Sequence, residues 1–134
     1  FTPDELKEVK VLDVNHMSSS LFLQNEDGSF SYKELPREAQ YSPVYSMEVW
    51  DVNKDGYQDL LLFGNNSFAK LRLGKFDANY GQVFLGNGKG DFTYLSQSQS
   101  GFNITGDIRA SQIIGEGIYL SRNSGSLLYY QLNE

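Results

Sequence analysis

The sequence contains no cysteine. That excludes a disulfide framework, a thiolate zinc site and a cysteine nucleophile, while leaving the compartment open. His16 is the single histidine, so a Ser-His-Asp triad would have to use it. It lies beside Asn15, Met17 and a serine run, no Gly-x-Ser-x-Gly motif occurs, and it reads as a loop residue. Positive charge is in deficit: 11 Lys and Arg against 17 Asp and Glu give a net charge of −6 and a pI near 4.7, with no basic block. Phosphate-backbone binding draws on clustered Lys and Arg, so nucleic acid is rejected as a partner. Long apolar runs are missing too, the longest being Leu60-Leu61-Leu62-Phe63, far short of a membrane span. No signal peptide opens the chain, which starts at Phe1; the expectation is a piece cut from a longer protein.

What is present suits one folded domain. The chain has 134 residues, of which 40% are hydrophobic and 14% aromatic, well outside the composition of disordered chains. Short apolar segments are punctuated by Gly, Asn, Asp and Ser. The predicted strands are 20–24, 30–35, 44–50, 59–64, 82–85, 92–95, 107–114, 118–121 and 127–132, rich in Phe, Tyr, Val, Ile and Leu. Asn25 to Ser29 and Gly86 to Asp91 read as hairpin turns, because Gly and Asn tolerate positive φ. Pro36 and Pro43 bracket a longer linker, and a second runs from Asn65 to Tyr80. One short helix is expected over residues 3–9: Thr2 caps it, Pro3 takes the first position and Glu5 reaches back. The class is all-β, with residues 1–18 as a short helix and linker before the sheet region of 19–134.

An internal repeat organises that region. Ser20 to Phe30 aligns with Gln82 to Phe92 at an offset of 62 residues: a strand ending in Phe-Leu, an Asn, a Gly turn and a Phe opening the return strand. At the same offset Ser46 falls on Ile108, where only the apolar pattern survives. Four short strands per period of about 60 residues is the pattern of propeller-like blades. The reading divides into a half blade (19–35), a full blade (44–95) and a degenerate blade (106–132).

The chemistry-bearing segment is Asp51-Val52-Asn53-Lys54-Asp55-Gly56-Tyr57-Gln58-Asp59. It places oxygen side chains at positions 1, 3, 5 and 9 and Gly at 6. Alternate residues of a tight loop converge on one point, which suits the all-oxygen shell of Ca²⁺. The predicted ligands are Asp51, Asn53, Asp55, Tyr57 through its backbone carbonyl, and Asp59. Three carboxylates this close repel one another by about 1 kcal/mol per pair in water, more when partly buried, unless a cation is present. An EF-hand is excluded: position 12 is Leu62 inside a buried strand, where that motif requires an acidic ligand and a helix.

Asp51 to Asp59 followed by Leu60-Leu61-Leu62-Phe63-Gly64 resembles the calcium loop and second strand of FG-GAP (VCBS-type) repeats, which build integrin alpha-subunit propellers and many bacterial secreted proteins. Ser42 to Tyr45, Gly74 to Gly81, Gly86 to Gly90 and the tail Leu120 to Leu128 are similar to the C-terminal repeats of bacterial cartilage-acidic-protein-like proteins. The resemblance implies a β-propeller, structural calcium, an extracytoplasmic setting (secreted, periplasmic or cell surface) and no known chemistry in this part. The chain departs from the pattern at Ile113 to Gly117, which lacks ligands, so one calcium site is expected. Two blades do not close a propeller and leave open strand edges, so a partial propeller is expected, meeting its remainder or a second copy at those edges. The functional expectation is a non-enzymatic scaffold or recognition module, with a glycan or an envelope or extracellular protein as partner. The alternative is an accessory propeller of a carbohydrate-active lyase or hydrolase whose catalytic residues lie elsewhere.

Other residues receive plainer readings. Trp50, ending a strand, reads as core rather than sugar platform. Tyr129 and Tyr130 alternate across a strand, one packed and one exposed. Asp107 and Glu116 read as acidic turn residues rather than a glycosidase pair. Lys70, Arg72 and Lys75 read as a solvated edge. Asn65-Asn66-Ser67 and Asn103-Ile104-Thr105 match the glycosylation acceptor pattern, a short motif that arises readily by chance.

Overall fold

The computed structural model describes residues 2–7 and 9–131. Helix α1 (Pro3–Lys7) is followed by three antiparallel sheets: β1 (Ser20–Gln24) with β2 (Phe30–Glu34); β3 (Val44–Trp50), β4 (Asp59–Gly64), β5 (Gln82–Gly86) and β6 (Phe92–Leu95); and β7 (Ile108–Ile114), β8 (Gly117–Arg122) and β9 (Leu128–Gln131). Each sheet is open, and within each the strands neighbour one another in chain order. The all-β class stands. Four strands keep their sequence-derived bounds to the residue, because Gly, Asn and Asp turns fix where extended chain can end.

Three local readings need correction. The front helix is described over Pro3–Lys7 and does not include Val9, with Leu6 and Val9 both exposed; residue 8 and the side chain of Glu5 lie outside the described residues. A second short helix, α2 (Gln97–Ser100), was not anticipated, although its start is a capping box: Ser96 bonds the third-position backbone and Gln99 reaches back. The expected match of Ser46 with Ile108 is two residues out. Bulges sit between Val44 and Ser46 in β3 and between Ile108 and Ala110 in β7, which makes Val44 the counterpart of Ile108. A two-residue slip preserves side-chain parity, so the apolar pattern alone could not detect it.

The sheets stack face to face. Strand β4 is buried on both sides along its whole length, as the unbroken run Leu60 to Phe63 demands. Leu61, Phe63 and Val83 face the third sheet and pack with Phe102, Ile104, Ile108, Ile118 and Leu120. Leu60, Leu62 and Phe84 face the other way and pack with Ala39, Leu35 and Phe92. The two-stranded sheet lies over the β5–β6 side of this second face, where Lys33 bonds Asp91 across the layers. It leaves β3 uncovered, and Met47 and Val49 stay half exposed. Gly64 has no alternative at its position, since a Cβ there would lie 1.8 Å from the Pro43 carbonyl oxygen.

Candidate metal centre and the neighbouring cleft

The Asp51–Asp59 loop joins β3 to β4, the first two strands of the central sheet. Lys54 (φ 58°) and Gly56 (φ 89°) both take left-handed conformations, which curls the chain inward between its acidic residues. Asp51 accepts the Asp55 N–H on Oδ1 at 3.0 Å and the Gly56 N–H on Oδ2 at 2.8 Å. Asn53 Oδ1 accepts the same Asp55 N–H at 3.2 Å, and its Nδ2 donates to Asp55 Oδ2 at 2.8 Å. The Tyr57 N–H donates to Asp55 Oδ1 at 2.8 Å. The Tyr57 ring leans on Gly88 in the β5–β6 turn, where an added Cβ would meet it at 2.5 Å.

Asp59 differs in kind. It is wholly buried, and its two oxygens serve different partners: Oδ2 accepts the Val52 N–H and Oδ1 the Gly86 N–H, each at 2.8 Å. One carboxylate therefore ties the loop's beginning to the end of β5. Charge-assisted bonds of this kind are roughly twice as strong as neutral ones.

Of the five sequence-derived residues, Asp51, Asn53 and Asp55 are tied together through side-chain and backbone bonds of the loop, while Asp59 is turned to Val52 and Gly86. Among the described residues, however, no three acidic or histidine side chains converge as a metal-ligating group. The carboxylates are turned onto the loop's own N–H groups. The donor chemistry fits a hard cation: every side chain at the ligand positions offers oxygen, and a carboxylate oxygen accepting one N–H keeps a second lone pair. The equivalent connection in the third sheet is a tight turn at Gly115 and Glu116 without such a set.

Beside the loop the second and third sheets diverge into a cleft of about 580 Å³. Trp50, Leu95, Phe102 and Tyr130 line its apolar part; Asp51, Lys54, Glu116 and Gln131 lie on its polar margin. Trp50 packs partly against the core, as expected, and also fronts this opening. Tyr130 packs inward while Tyr129 is exposed, its ring 4.9 Å from that of Tyr119.

Asp107 and Glu116 sit at opposite ends of β7, roughly 20 Å apart for a strand of that length. Two-carboxylate glycoside chemistry uses separations of about 5–10 Å. Asp107 is instead buried, accepting from the Ser67 N–H at 3.0 Å, the Ser67 hydroxyl at 2.8 Å and Arg109 at 3.4 Å. Asn65, also buried, donates to the Asn79 and Gly106 carbonyls and accepts the Asn79 N–H. The sequence reading treated 65–80 as a linker and missed this network. The available signal was the density of Asn and Asp at its two ends. With its side chain so engaged, Asn65 is no accessible glycan acceptor, whereas Asn103 is exposed. Lys70, Arg72 and Lys75 are exposed, as expected, but they lie on a loop and a 3-10 turn rather than on a sheet edge.

No family model matches the chain, and no curated protein or solved structure matches it.

Proposed function

We propose that this chain is a non-enzymatic, calcium-stabilised stack of propeller-type blades belonging to a secreted or cell-surface protein, serving as scaffold or in recognition of a glycan or extracellular protein. The observation that carries the reading is Asp59. A buried carboxylate that bonds both the metal-type loop and the end of β5 gives a cation in that loop a direct grip on three strands of the central sheet. Asp51, Asn53, Asp55, the Tyr57 carbonyl and Asp59 would hold Ca²⁺, which would neutralise the carboxylates and fix the loop. The stacking supports the blade reading. Strand order repeats from sheet to sheet, the first strands of the second and third sheets carry the same bulge, and successive layers pack in the same sense. The half-covered face at Met47 and Val49, and the free edges of β1, β2 and β9, are where further blades or a second copy would add.

Melting in excess calcium and in excess EGTA tests this. Binding at a hundredfold excess over Kd adds about 2.7 kcal/mol, which is several degrees for a domain of this size. Asp55→Ala should abolish the calcium-dependent shift and cost less in EGTA, where one repulsive charge has gone with the ligand. Equal midpoints for the parent protein in the two buffers would overturn the calcium assignment.

A further inference from the structure

The cleft between the second and third sheets holds more binding capacity than the fold uses. The Trp50 indole N–H, the Tyr130 hydroxyl, the Glu116 carboxylate and the Gln131 amide all border it, and none of the four makes a hydrogen bond or ion pair among the described residues. Among the described residues no polar side-chain atom is buried without a partner, so these four groups face the water of the open cleft, which a ligand can displace. Its volume falls within the range of small-molecule sites, which combine an apolar lining with a few convergent polar groups.

The charges narrow the ligand class. Asp51 keeps its charge although loop N–H groups engage both its oxygens, so with Glu116 the margin carries two carboxylates and, in Lys54, one ammonium. The carboxylates disfavour an anionic ligand, and the ammonium beside them works against a compact cation. Two aromatic rings suit the C–H faces of a pyranose, while a carboxylate and an amide suit its hydroxyls, each offering acceptors that a purely apolar ligand would leave desolvated and unpaired. We propose that this cleft is a binding site for a neutral saccharide, held between Trp50 and Tyr130 and hydrogen-bonded by Glu116 and Gln131. The proposal rests on the recognition reading above and specifies its partner; it does not require the cation.

Trp50 is the single tryptophan, so emission excited selectively at the indole reports on this cleft and the adjoining loop and not on the tyrosines elsewhere. The experiment titrates the protein with cellobiose and with maltose, with choline as the cationic probe and glucuronate as the anionic one. The expected result is a saturable change in Trp50 emission with a disaccharide at millimolar concentration and none with the charged probes. Glu116→Ala, at an exposed turn where folding is not at stake, should weaken binding about tenfold, a loss of about 1.4 kcal/mol. Gln131→Ala should weaken it as well, and circular dichroism checks that both variants fold. A flat response to both disaccharides, a response unchanged by Glu116→Ala, or saturation by choline or glucuronate alone would overturn the proposal. Repeating the titration in calcium and in EGTA separates the two readings. A melting shift without a disaccharide response removes the saccharide site alone, and the reverse result removes the calcium site alone.

Discussion

The hairpins β1–β2 and β5–β6 carry the same motif 62 residues apart, and they lead opposite lives. Phe22 and Phe84 are equivalent, pair with equivalent tyrosines, Tyr32 and Tyr94, and point to the same side of their hairpins. Phe84 is 0% exposed and Phe22 is 61% exposed. Nothing in the motif accounts for this. Phe84 is covered by Leu35, Ala39 and the rest of the layer laid over the central sheet, whereas on the far side of the two-stranded sheet Phe22 and Tyr32 are left exposed among the described residues. Gln24 and Gly86 make the same contrast from the backbone. A Cβ at Gly86 would lie 2.1 Å from the Gln58 carbonyl oxygen, so only the hairpin with a neighbour on that side requires glycine. The motif encodes a hairpin, and stacking decides whether its side chains count towards stability.

The sharpest way to break this comparison is a matched pair of truncations. Phe84→Ala should cost about 3–5 kcal/mol, the usual loss for an enclosed aromatic. Phe22→Ala, where a largely exposed ring meets the rings of His16 and Tyr32, should stay within about 0.5 kcal/mol. Urea midpoints measure both, and comparable losses would mean that the outer face is covered in solution.

Next in size is Asp59→Ala. It strands the Val52 and Gly86 N–H groups in a buried site, at about 1–3 kcal/mol for each unsatisfied donor. Thermal melting in EGTA isolates this loss from any cation effect, and a neutral result would remove Asp59 as the link between loop and sheet. The hairpin β1–β2 has no buried counterpart to lose.

The smallest effect concerns the contact between the two hairpins. The Lys33 ammonium bonded to Asp91, with help from Asn87, holds that carboxyl below its usual range. A depressed folded-state pKa means stabilisation that is present above the ordinary carboxylate value of 3.8 and is lost as pH falls through the lower folded one. The pair is exposed, so Lys33→Ala should leave the midpoint at neutral pH almost unchanged. It should also flatten the residual acid dependence, read by melting between neutral and strongly acidic buffer.

How much of this was legible beforehand follows from range along the chain. Strand ends such as Trp50 and Asp59 are set by their own turns and are visible in a few residues. The ligand-type spacing of Asp51, Asn53, Asp55 and Asp59 is likewise local. What those side chains bond to is not, because Asp59 reaches Gly86 across 27 positions. The role of Asp107 was illegible for the same reason: its partner Ser67 lies 40 residues earlier, and an acidic residue opening a strand looks the same whether it faces water or a buried hydroxyl. Trp50 was read as core, and it does pack there; that it also fronts a cleft depends on where β9 ends.

The Asn65–Asn79–Asp107 network sets how the molecule opens. Separating the second and third sheets would strip partners from several buried polar groups at once, so no intermediate with only that seam parted is stable. Those two layers should therefore exchange their amide hydrogens as one cooperative block, with the slowest protons in β4. The two-stranded hairpin, held over the stack by apolar contacts, the exposed Lys33–Asp91 pair and the bonds of the Gln40 side chain to Ser19 and Leu35, has fewer ties and should exchange faster.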